Sequence, residues 1–119
     1  MKENYEIDTI VNKIAWLGVP ALVLLITMAI SPWFGGAAIM WALGVLGGPF
    51  GAIVGIGVLI VISKYANRIT DYGIEKVINL VVSRMNQNGK PKSEIIDEIK
   101  NYKISTKLKE KIISYIENL

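Results

Sequence analysis

The chain has 119 residues, 52% of them hydrophobic, with 13 Lys or Arg against 10 Asp or Glu and neither Cys nor His. The missing Cys and His exclude disulfide staples, thiol chemistry, the usual zinc sites and histidine acid–base catalysis. So short and so apolar a chain has room for one membrane unit and one small polar unit, and none for a multidomain architecture.

Residues 1–13 are polar overall, yet Ile7, Ile10, Val11 and Ile14 recur at i, i+3, i+4 and i+7, the spacing of one helical face. An interfacial amphipathic segment leading into a first span is predicted there. Its net negative charge and the absence of an Ala-x-Ala site after the apolar run argue against a signal peptide. From Ile14 to Ser63 the next 50 residues contain no Asp, Glu, Lys, Arg or His. About 20 apolar residues cross a bilayer core roughly 30 Å thick, so this stretch suffices for two helical crossings and a turn. Spans are predicted over about 14–30 and 37–62, with a tip at 31–36, where Pro32, Gly35 and Gly36 concentrate turn chemistry. Pro20 and Pro49 are the expected kinks.

Lys and Arg accumulate on cytoplasmic flanks. The tip has none, whereas Lys13, Lys64 and Arg68 border the other ends, so both termini are expected in the cytoplasm of a bacterial inner membrane. Trp16 and Tyr65 would then lie near the inner interface, and Trp33, Phe34 and Trp41 near the outer one, as amphipathic belt residues.

The remaining residues, 64–119, carry eleven Lys or Arg against seven acids. This excess is read as a topology signal and as attraction to anionic membrane lipids; no dense basic cluster favours nucleic acid. Ile74, Ile78, Val81 and Met85 share a face, predicting that the second span runs on as a helix to about Gln87, where Asn88-Gly89-Lys90-Pro91 stops it. Ser93 is the expected N-cap of a short helix through Tyr102 containing Ile95 and Ile99. Ser105 or Thr106 should cap a last helix whose Leu108, Ile112 and Ile116 line one side. These helices cannot bury their stripes alone and must pack on each other, on the preceding helix or on another subunit.

On a continuous second span, Ala37, Gly44, Gly48, Gly51 and Gly55 fall on one face, with Gly47 at its edge. In lipid, small residues let helix backbones approach closely, so the stripe predicts helix packing, preferentially between copies of the chain. A second reading takes Gly47-Gly48-Pro49-Phe50-Gly51 as a turn. Ala37 to Leu46 and Phe50 to Ile62 then become two half-helices, and Lys64 returns to the side of the tip.

Membrane-depth polar residues are few, with Thr27 the only one away from the edges, so a selective transporter or proton relay is not expected. No catalytic set, metal motif or cofactor-binding loop is legible, and an enzyme is not predicted. The fold class predicted is an all-α membrane protein, a two-span transmembrane hairpin followed by a small cytoplasmic helical domain. That layout resembles small two-span holins, and the glycine-rich span is similar to those of pore-forming toxins and membrane effectors of bacterial defence systems. The resemblance implies a self-associating pore-forming or membrane-permeabilising protein whose tail controls assembly. The alternative is a membrane anchor, adaptor or immunity protein whose tail, 64–119, docks a protein partner. A form that wraps the hairpin in amphipathic helices, as some toxins do before insertion, would lack enough such helices to cover 50 apolar residues unaided.

Overall fold

Glycines at positive φ, Gly18, Gly47 and Gly73, and not Pro20 or Pro49, make three of the breaks between the helices of this chain. The computed structural model describes residues 2–119, with side chains from Glu6 onward, and contains only helices among them. In chain order they are α1 (Lys2–Leu17), α2 (Val19–Ala29), α3 (Gly35–Leu46), α4 (Gly48–Tyr72), α5 (Ile74–Gln87), α6 (Lys92–Lys100) and α7 (Thr106–Glu117). Met1, the start of the predicted surface segment, lies outside the described residues.

Each break has a local cause. Gly18 adopts φ 92°, a conformation closed to most L residues, and α1 turns into α2 through 119° there. The predicted 14–30 span is therefore divided, with Ile14 to Leu17 belonging to α1. Pro20 does not kink a helix. It sits in the first turn of α2, where its missing N–H costs nothing. The predicted 37–62 span divides in the same way at Gly47 (φ 86°), and Pro49 again occupies a first turn, that of α4. The break after Leu46 is the one the second reading places there, but α3 starts at Gly35 rather than Ala37, and α4 runs from Gly48 to Tyr72 rather than from Phe50 to Ile62. A further bend falls at Gly55 (φ 73°, ψ 168°), inside α4. The helix expected to run on to Gln87 stops at Gly73 (φ 113°), so Ile74 to Gln87 form a separate α5.

The tail follows its cap signals with two changes. Gly89 at φ 93° closes α5, and the Lys90 N–H donates to the Met85 carbonyl at 2.9 Å. Pro91, not Ser93, occupies the N-cap of α6, because its fixed φ suits the position; Ser93 lies one residue inside the helix. Helix α6 ends at Lys100, short of Tyr102. Ser105 caps α7, its Oγ accepting from the Leu108 N–H at 3.2 Å.

Helix α2 is the centre of the molecule. Val19 and every residue from Ala21 to Met28 are buried, and α1, α3, α4, α5, α6 and α7 all pack against it. Thr27, its single polar side chain, is buried and bonds the Val23 carbonyl at 2.8 Å, so the helix satisfies itself. One hydrophobic cluster runs from Ile7 through α2 to Ile116. Ile78, Val81, Met85, Ile95, Ile99, Leu108, Ile112 and Ile116 are buried in it and Ile74 partly so; α6 and α7 bury their stripes on each other and on α2. The amphipathic helices, together with the inner faces of α3 and α4, thus wrap the first apolar segment. The amphipathic helices do not wrap the second.

Candidate membrane-contact surface

Helices α3 and α4 fold back on each other at Gly47, because the start of α3 returns to the far half of α4. A Cβ on Gly35 would stand 3.5 Å from Asn67 Oδ1. The uncharged tip accordingly shares a shallow groove with Thr70, Gly73 and Lys76. In this compact form the tip lies beside the basic flank instead of opposite to it.

Each arm of the pair has one buried and one open face. Ala38, Ile39, Ala42 and Leu46 of α3 point inward, as do Phe50, Val54, Val58, Ile62, Ala66 and Ile69 of α4 at helical spacing. The outward side of α3 carries Ala37, Met40, Gly44 and Val45, and that of α4 carries Gly51, Ala52, Ile53, Ile56, Gly57 and Ile60. No charge interrupts this surface. Met40 is 72% exposed, Ile56 77% and Ile60 60%, values that leave most of each side chain without a protein neighbour. From Lys64 onward the same side of α4 turns polar, with Asn67, Arg68 and Asp71 exposed.

Helix α4 is long and apolar enough to cross a membrane, and α1 with α2 would make a second such segment if the bend at Gly18 opened. Core helices of water-soluble folds pass the same length and hydropathy criterion because they are mostly buried. Only 28% of the apolar window of α4 is buried here, which sets it apart from α2. Contiguous apolar surface of this kind marks contact with lipid or protein.

The glycines lie on the open side. A Cβ added at Gly44, Gly48, Gly51 or Gly55 would meet nothing within 4 Å, and at Gly47 only Pro49 Cδ at 3.9 Å. Within one chain no close helix approach depends on them. Gly47 and Gly55 also depart from helical geometry, so the expected stripe is interrupted at both, while Gly44, Gly48 and Gly51 remain exposed along with Ala37. No protein-family model matches the chain, and no curated protein or solved structure is significantly similar to it.

The border of the apolar surface is marked by aromatic and cationic side chains. Trp16 is 85% exposed, Trp33 and Phe34 are exposed at the tip, and Trp41 and Tyr65 are partly covered. Helices α1 and α4 run in opposite directions, Glu6 pairing with Arg68 while Lys13 Nζ donates to the Tyr65 hydroxyl at 3.1 Å. Lys13 and Lys64 each place Nζ 5.4 Å from the centre of the Tyr65 ring. The Lys13 ammonium, through that hydrogen bond, pulls the Tyr65 phenol below its ordinary value of 10.0.

At the opposite end, the Gly47 corner is held by the tail. The fully buried Phe50 ring stands 5.9 Å from that of Tyr102, tilted by 60°. Tyr102 in turn donates its hydroxyl to Glu98 Oε2 at 2.5 Å, and Lys90 Nζ donates to Glu98 Oε1 at 2.7 Å. Desolvation, helped by the Glu98 carboxylate, raises the Tyr102 phenol far above its ordinary value. Sequence reasoning missed this connection. Its only trace is Phe50, the one large aromatic in the glycine run, and nothing in the spacing pairs it with residue 102.

Among the described residues, no three His, Cys, Asp or Glu side chains gather as a metal site.

Proposed function

We propose that this is a membrane-active protein that self-associates and permeabilises a bilayer. The bundle is its closed form, and a two-span hairpin with both termini on the cytoplasmic side is its inserted form. One observation carries this reading: the uncharged outer face of α3 and the first half of α4, which ends abruptly at Lys64. Burying such a face in acyl chains is favourable, and nothing among the described residues covers it.

The tail would act as the control element. Helices α6 and α7 cover α2, and Tyr102 holds the Gly47 corner through Phe50. Releasing these contacts would free α2 and let the α3–α4 corner open into one span, a population shift between two packings of one sequence. Gly44, Gly48 and Gly51, where an added Cβ would meet nothing within 4 Å, would then pack between copies. No catalytic step is ascribed to the protein.

Expression in bacterial cells with membrane potential and growth as readouts tests the reading. Wild type should depolarise the membrane, and Gly48→Leu or Gly51→Leu should abolish this without unfolding the bundle, since both positions open into free space. Harmless accumulation of wild type in the membrane at high level would favour the adaptor, anchor or immunity reading with a protein docked on residues 64–119.

A further inference from the structure

The two lysines over Tyr65 answer a question that the apolar face leaves open, namely how the surface is set at the right depth. We propose that Lys13, Lys64 and Tyr65 form a binding site for the phosphate group of an anionic phospholipid, an inference that rests on the membrane reading above. Three observations converge on it.

The first is convergence itself. Lys13, 52 positions from Tyr65, joins Lys64 so that two ammonium groups each stand 5.4 Å from the centre of one phenol ring, a gathering of like charge that an anion would relieve. The Tyr65 oxygen already accepts from Lys13, so its own O–H is left to donate to a phosphate oxygen.

The second is charge accounting. Among the described residues, neither lysine has a carboxylate partner. The neighbouring acids are taken by arginines, Glu6 by Arg68 and Asp8 by Arg84 at 3.0 Å. A groove of about 340 Å³, lined by Glu6, Thr9, Lys64, Tyr65 and Arg68, opens beside the cluster. With Glu6 and Arg68 cancelling, its balance is positive.

The third is level. One turn from Lys64 toward the start of α4 stands the exposed Ile60, followed by Ile56; one turn beyond Lys13 on the antiparallel α1 stands the exposed Trp16. A phosphate on the lysines would therefore sit where its acyl chains can lie along the isoleucine face, with Trp16 level with Ile60 at the boundary between headgroups and acyl chains.

Binding of the purified full chain to vesicles of phosphatidylcholine, with and without phosphatidylglycerol, decides the matter. Wild type should prefer the anionic vesicles more than ten-fold. Lys13→Gln with Lys64→Gln should lose about five-fold per lysine, roughly 25-fold together, on anionic vesicles. Binding to neutral vesicles should hold. Lys107→Gln with Lys111→Gln, an equal charge change on α7, should lose far less, and Tyr65→Phe should lose a few-fold on anionic vesicles only. Equal losses from both lysine pairs would overturn the site, and equal wild-type binding to both vesicle types would overturn it while sparing the membrane reading. Absence of binding to any vesicle would overturn both. Release by inorganic phosphate at matched ionic strength would indicate a free-phosphate site and refute the lipid assignment.

Discussion

Replacing Ile56 with lysine asks the outer face of α4 what surrounds it. Ile56 is 77% exposed, so in the closed bundle in water the change should alter folding stability by no more than about 0.5 kcal/mol. In a bilayer two penalties add. The exposed fraction of the isoleucine forfeits about 1–2 kcal/mol of burial, and a lysine at membrane depth costs about 2.5–3.5 kcal/mol on the translocon scale. The sum, about 4 kcal/mol, corresponds to roughly a thousand-fold in partitioning. Vesicle flotation gives the partition coefficient, dye release gives permeabilisation, and circular dichroism in water confirms that the bundle is intact. Wild-type flotation and dye release by a folded Ile56→Lys protein would refute the assignment of this face to lipid.

Three further outcomes follow from the same geometry. Gly55→Ala should destabilise the bent α4 by about 1–3 kcal/mol, since φ 73° with ψ 168° is a region essentially reserved for glycine, while favouring a straight helix by about 1 kcal/mol; dye release at lower protein concentration is expected, and an unchanged thermal midpoint with unchanged release would contradict it. Leu25→Ala, at a fully buried position of α2, should cost about 2–5 kcal/mol in chemical denaturation; a loss below about 1 kcal/mol would mean that α2 is not the core. Tyr102 keeps its proton in the folded state above the pH at which the unfolded chain loses it. Its stabilising contribution is thus complete below pH 10 and declines as pH rises beyond it, at no more than about 1.4 kcal/mol per pH unit for one proton. Tyr102→Phe should flatten that decline in alkaline denaturation, and identical slopes would show that its phenol is not the group concerned.

Helical class and cap chemistry were legible because their signals are local. The i, i+3, i+4, i+7 spacing of Ile7, Ile10, Val11 and Ile14 places one face of α1, Ser105 caps α7, and Gly89 stops α5. The breaks were read less well. Proline drew attention at 20 and 49, yet in both places a glycine at positive φ two residues earlier makes the turn and the proline merely opens the next helix. Gly73 carried no neighbouring turn residue to betray it. The Lys13–Tyr65–Lys64 cluster was legible only as separate flanking residues, and the Phe50–Tyr102 contact was not legible at all.

Fifty uncharged residues in succession dictate, from sequence alone, that a large apolar surface must leave water, because hydrophobic burial scales with area whatever the fold. Which half of that surface is hidden was a matter for the tertiary structure. Lengths and periodicities do not say that the amphipathic helices and the inner faces of α3 and α4 close around α2 and leave the outer faces of α3 and α4 bare. That partition depends on how many helices fit around one centre, a property of three-dimensional packing that no local pattern in the chain encodes.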